Sequence, residues 1–104
     1  MTADVTGTTV LVTGSTDGLG RGLALELAAT GATVLLHGRD PVKGEETVRD
    51  IREATGSERL AFYRADLSSL SEVRGLAEQV LAEHDRLDVL VNNAGIAGET
   101  AAAR

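Results

Sequence analysis

The chain has 104 residues, no cysteine, a formal charge of -6 and 42% hydrophobic residues. That length suits one small domain, and the missing cysteines exclude disulfides, zinc-thiolate sites and thiol nucleophiles. An acidic balance without a basic cluster argues against nucleic acid and anionic membranes as partners; no signal peptide or membrane-spanning run is visible, so a cytoplasmic protein is expected.

Residues 8–12 form a short, β-branched, apolar run that reads as a buried strand. A helix is expected from about Leu19, with Leu19, Leu23 and Leu27 on one face together with Ala24 and Ala28, and Gly31 as its stop. Residues 33–37 read as a second strand. Asp40-Pro41 combines an N-cap with an N1 proline, a strong helix start. Val48, Ile51 and Ala54 supply that helix's inner face and Gly56 ends it. Residues 60–64 read as a third strand. Ser69-Leu70-Ser71-Glu72 has the form of a capping box, opening a helix whose inner stripe is Leu70, Val73, Ala77, Val80, Leu81 and His84. Residues 87–92 read as a fourth strand, and residues 96–104 show no periodicity.

The order β-α-β-α-β-α-β, with apolar strands between helices, implies an α/β fold with a parallel sheet covered on both faces. Right-handed crossovers then favour a doubly wound, Rossmann-like sheet of strand order 3-2-1-4, truncated after the fourth strand. The expected organisation is one partial domain over residues 1–104, matched over about 8–95, with residues 96–104 as an irregular tail. The switch point lies between strands 1 and 4, where ligands bind such sheets.

Two motifs converge on that crevice. Thr13-Gly14-Ser15-Thr16-Asp17-Gly18-Leu19-Gly20 joins the first strand to the first helix, a layout that presents backbone N–H groups and a helix N-terminus to a phosphate. Its spacing, G-x-x-x-G-x-G, differs from the G-x-G-x-x-G of the standard dinucleotide fingerprint. Asn92-Asn93-Ala94-Gly95 follows the fourth strand. Against the bland alternative of an ordinary strand–helix turn, the placement of both motifs favours a bound dinucleotide.

Together these motifs resemble the short-chain dehydrogenase/reductase family, and Asp66-Leu67 stands where that family places an acidic residue after the third strand. The resemblance runs from about Thr8 to Gly95. It implies an NAD(P)-dependent oxidoreductase that moves a hydride between a nicotinamide and a carbonyl or alcohol. It also implies that Gly14, Ser15, Gly18, Leu19 and Gly20 form the pyrophosphate turn. Asp66 and Leu67 would meet the adenine, and Asn93, Ala94 and Gly95 would lie along the nicotinamide-side ribose. Asn92 would brace the central strands.

NAD-binding relatives carry an acid at the end of strand 2. Here Gly38 stands there and Arg39 follows, a planar fork suited to a 2′-phosphate, which favours NADP(H). Asp17 and Asp40 are counter-signals, one as an acid near that phosphate and the other as a competing partner for Arg39. His37, with no second histidine or cysteine nearby, reads as structural. The family's catalytic serine, tyrosine and lysine have no match: the sole tyrosine, Tyr63, has Leu67 four residues on. No catalytic residue is therefore assigned, and the isolated chain is expected to be inactive. The segment Arg39-Asp40 to Lys43-Gly44-Glu45 resembles members acting on retinoid-like or other bulky carbonyls. A non-catalytic nucleotide-binding module and a flavodoxin- or receiver-like domain are the alternatives.

Overall fold

The computed structural model describes residues 7–93. Four strands, β1 (Thr9–Val12), β2 (Thr33–Gly38), β3 (Leu60–Arg64) and β4 (Val89–Val91), alternate with three helices, α1 (Gly18–Ala29), α2 (Pro41–Thr55) and α3 (Leu70–Glu83). The strands form one parallel sheet in the order β3-β2-β1-β4. The doubly wound topology expected from the sequence is thus the one observed.

Strand alternation divides the core in two. Val10, Val12, Val34 and Leu36 pack with Ala24, Ala28 and Ile51 beneath α1 and α2. Leu11, Leu35, Tyr63 and Ala65 pack with Leu76 and Val80 beneath α3. The β1–β2 register sets Val10 beside Val34 and Val12 beside Leu36, so each face is apolar along both central strands.

The packed faces of the helices match the expected ones in part: Ala24, Ala28, Ile51 and Val80 are buried as expected, and Leu27 and Val48 pack against the core. In α1 the buried residues are Gly20, Ala24 and Ala28, whereas Leu19 is 81% exposed and Leu23 is also at the surface. The cause is proximity. The helix starts so near the end of β1 that a Cβ on Gly20 would collide with the Gly14 carbonyl oxygen and lie 2.5 Å from Asn93 Nδ2. The small-residue face fits against the strand, Leu27 packs partly buried beside it, and Leu19 and Leu23 are left on the rim.

In α2, Gly44, Thr47 and Ile51 are buried while Ala54 is exposed. The Phe62 ring occupies the space that a Cβ on Gly44 would need. In α3, Leu76 and Val80 are buried, whereas Leu70, Val73, Ala77 and Leu81 are not among the buried residues and His84 is half-buried. Among the described residues β4 is the sheet edge on that side, so the sheet covers only part of the helix's apolar arc. Val73, Leu81 and Leu90 instead line an apolar groove with Leu67 and Leu87.

The caps are mixed. Asp40 Oδ1 accepts from the Val42 and Lys43 N–H groups at 2.9 and 3.4 Å. Gly56 closes α2 with φ +77°. Ser69 Oγ accepts from the Glu72 N–H at 3.3 Å, but the reciprocal half of the capping box is missing. Glu72 Oε1 accepts instead from the Asp66 N–H at 2.6 Å and from Arg64 at 2.8 Å. The Ser69 N–H donates to the Asp66 carbonyl. Strand β4 is shorter than expected. The Asp88 carboxylate takes the Thr9 N–H at 2.8 Å before it, and the Asn93 N–H turns back onto the Val91 carbonyl after it.

Candidate functional site

A cleft of about 790 Å³ opens at the carboxyl end of the sheet. Its floor and rim carry Gly14, Gly18, Leu19, Arg39, Asp66, Leu67 and Asn93, which the sequence singled out for cofactor contact. Thr16, Asp17, His37, Gly38, Asp40, Lys43 and Ser68 join them. The β1–α1 turn, the β2–α2 turn, the end of β3 and the end of β4 therefore meet at one place, as a switch-point crevice requires. Ala94 and Gly95 lie outside the described residues.

The glycine turn is built from both sides. Gly18 adopts φ +61° with open space around its Cα, so a side chain there is opposed by the backbone and not by a neighbour. Asp17 occupies the N-cap of α1, but its carboxylate makes no cap bond. It pairs with Lys43 Nζ at 2.7 Å. The first turn of α1 contains no acid, and the one carboxylate at its start, that of Asp17, is neutralised by Lys43 and makes no cap bond, which leaves the helix N-terminus suited to a phosphate.

Two of the singled-out residues sit behind the cleft. Gly20 is buried against Gly14 and secures the helix–strand approach. Ser15 is fully buried. Its Oγ accepts from the His37 N–H at 2.9 Å, and its own N–H donates to the His37 carbonyl at 2.9 Å. The hydroxyl bordering the cleft belongs to Thr16 instead. Lys43 was missed by sequence reading; its signal was its place on the first turn of α2, three residues past the Asp40 cap.

At the end of β2, Gly38 backs onto Thr16. A Cβ at position 38 would meet Thr16 Cγ2 at 2.8 Å and Oγ1 at 3.1 Å. Asp40 is committed to its helix cap, and among the described residues Arg39 forms no side-chain salt bridge. The Arg39 carbonyl accepts from Arg64 Nε at 3.1 Å, which fixes the backbone but leaves the guanidinium at the rim.

Just past the end of β3, Asp66 Oδ1 accepts from the Ser68 N–H at 3.0 Å and the Ser68 hydroxyl at 2.8 Å. These bonds, aided by Arg39 and Arg64, hold its carboxyl below the usual aspartate range, so it stands ionised as an acceptor. Lys43 does the same to Asp17. The strand-bracing role expected of Asn92 is shared: Asn93 Nδ2 donates to the Gly14 carbonyl at 3.0 Å, while Asn92 Oδ1 accepts from Thr13 Oγ1 at 3.4 Å. Tyr63 lies away from the cleft. Its hydroxyl donates to Glu83 Oε1 at 2.6 Å and accepts from His84 Nε2 at 3.0 Å.

The whole arrangement has known counterparts. The short chain dehydrogenase family model matches residues 8–104, and the chain belongs to that family. Mouse (Mus musculus) retinol dehydrogenase 13 is 45% identical over 94 residues, which span 90% of this chain and 28% of the mouse protein. Dehydrogenase/reductase SDR family member 13 of Bos taurus is 43% identical, spanning 90% of this chain and 25% of its own length. The chain thus spans about a quarter of the curated relatives it matches. Among solved structures, a metagenomic short-chain oxidoreductase in complex with NADP superposes with a TM-score of 0.82 at 40% identity, over 89% of this chain and 41% of that one. A citronellol catabolism dehydrogenase of Pseudomonas aeruginosa gives 0.81 at 36% identity, over 88% and 38%.

Proposed function

We propose that this chain is the dinucleotide-binding part of a short-chain oxidoreductase that prefers NADP(H) over NAD(H). The observation that carries the preference is the end of β2. Gly38 is backed by Thr16, where an acid would collide, and Arg39 and Lys43 border the cleft. The guanidinium fork and the ammonium suit a 2′-phosphate in place of ribose hydroxyls. The open N-terminus of α1 suits the pyrophosphate, Asp66 suits the adenine amino group, Leu67 the ring, and Asn93 the nicotinamide-side ribose. When bound, the dinucleotide supplies the hydride that a carbonyl substrate accepts or takes up the hydride that an alcohol releases.

The residues present fit binding and orientation. The family's catalytic serine, tyrosine and lysine have no match in this sequence, so the chain by itself is expected to bind without turnover. The mouse relative's name points to bulky alcohols and aldehydes of the retinoid kind as the substrate class of the parent enzyme. A non-catalytic nucleotide-binding module would use the same cleft. The receiver-like alternative fits less well, because β1 runs into Thr13-Gly14 and not into acids.

Titration of the purified chain with NADPH and NADH tests the reading. NADPH should bind at least tenfold more tightly, and Arg39→Glu should abolish that difference while sparing NADH. Equal affinities in the parent chain would remove the preference; carbonyl reduction by the purified chain would refute the binding-only assignment.

A further inference from the structure

We infer that His37 is a positioning residue for the phosphate-binding turn, and that it acts only as the neutral imidazole carrying its proton on Nε2. This deepens the dinucleotide reading and rests on it.

His37 is the penultimate residue of β2 and only 3% exposed. Its Nδ1 accepts the Gly14 N–H at 3.0 Å. Since Nδ1 is an acceptor, Nε2 bears the proton, and it donates to the Ala65 carbonyl at 2.9 Å. The ring therefore links the glycine turn after β1 to the end of β3. The backbone of His37 adds three bonds to Ser15. From the opposite side Asn93 Nδ2 holds the Gly14 carbonyl at 3.0 Å. Both polar groups of Gly14 are thus claimed, one by β2 and the other by the turn after β4.

One protonation state satisfies this geometry. A proton added at Nδ1 would face the Gly14 N–H donor to donor across 3.0 Å, and the turn would have to move. Burial favours the neutral form and outweighs the opposing effect of the Ala65 bond, so the ring titrates below the ordinary histidine range.

The charged groups around it are spoken for. Of those bordering the same cleft, Asp17 is paired with Lys43 and Asp40 caps α2. Asp66 is bonded to Ser68, and Arg39 stands at the rim. Tyr63, the register partner of His37 on β3, is bonded to Glu83 and His84.

The test uses the full 104-residue chain and ADP-ribose, whose pyrophosphate holds its charge both across the range of about pH 5 to 8 in which histidine ordinarily titrates and below it. Ring nitrogen NMR should show the Nε2–H tautomer, and the Gly14 amide should shift with the same midpoint as His37. ADP-ribose affinity should fall about tenfold per pH unit below that midpoint. His37→Asn puts an acceptor near the place of Nδ1 and should keep most of the affinity while flattening the pH profile. His37→Gln reaches toward Ala65 but leaves the Gly14 N–H unmatched, and should lose about tenfold or more.

An Nδ1–H tautomer, or a Gly14 amide indifferent to His37 titration, overturns the proposal even if neither variant folds. Binding that ignores both pH and the identity of residue 37 overturns it while leaving the dinucleotide reading intact. No ADP-ribose binding by the parent at any pH refutes both.

Discussion

Two alanine substitutions on the same helix should act with opposite signs. Gly20 and Gly22 both lie in α1. In the isolated helix each change to alanine is favourable by about 1 kcal/mol, because glycine loses more backbone freedom on folding. At Gly22 a Cβ would meet nothing within 4 Å, so that gain should appear in full. At Gly20 the Cβ would collide with the Gly14 carbonyl, a backbone atom that cannot step aside, and crowd Asn93 Nδ2. Overpacking of this kind costs about 1–3 kcal/mol, and loss of the Asn93–Gly14 bond adds about 1 kcal/mol. After the helix gain is subtracted, Gly20→Ala should destabilise by about 1–3 kcal/mol. Thermal unfolding followed by circular dichroism should show Tm falling by roughly 5–20 °C for Gly20→Ala, and rising by roughly 2–8 °C for Gly22→Ala. Shifts of the same sign in both variants, or a Gly20→Ala chain at least as stable as the parent, would refute the close-approach argument.

Asp17→Ala should change stability by less than about 1 kcal/mol, since the Asp17–Lys43 pair is largely exposed; by freeing Lys43 it should tighten NADPH binding several-fold in a fluorescence titration. Lys43 lowers the Asp17 carboxyl, so what the pair contributes is present above the ordinary aspartate range and is lost only as pH falls through the lowered value. Melts between about pH 5 and 8 should therefore show no change attributable to it. Tyr63→Phe should cost about 1 kcal/mol in urea unfolding, the worth of a hydrogen-bonded hydroxyl. Burial, then Glu83, pushes the Tyr63 phenol above its ordinary value of 10.0. Its contribution is full below that ordinary value and is lost as pH rises through the raised one. As the only tyrosine, it should stay un-ionised by ultraviolet titration until the chain unfolds in alkali; a phenol ionising near its ordinary value in the folded chain would contradict the buried contact.

The strands and their order were legible because each rests on a local signal. β-branched apolar runs mark the strands, Asp40-Pro41 marks the start of α2, and the glycine turn and Asn93 fix the two sides of the crevice. Packing faces were less legible. In α1 the leucines at 19, 23 and 27 and the small residues at 20, 24 and 28 have the same four-residue spacing. Ala24 and Ala28 lie on the packed face as expected, but hydrophobicity also favours Leu19 and Leu23 there, and only the distance between helix and strand selects Gly20 instead. In α3, Leu76 lay outside the stripe read from the sequence, yet it is the residue the sheet reaches. At the site, Ser15 carries a hydroxyl in the right motif, but the backbone of His37 claims it. Lys43 carries no motif; it reaches the rim because the Asp40 cap fixes the phase of α2. Long-range pairings such as Glu72 with the Asp66 N–H compete with a local capping box, and a sequence pattern cannot rank the two.

The contact between Thr16 and position 38 imposes an order on evolutionary change. A lineage drifting toward an acid at the end of β2 meets the Thr16 methyl before it meets any nucleotide. Gly38→Asp alone would have to turn the half-buried Thr16 side chain aside, so part of its cost would fall on the glycine turn. A smaller residue at 16 would remove that contact in advance. Positions 16 and 38 are therefore coupled, and a change at the end of β2 is felt first in the turn that follows β1.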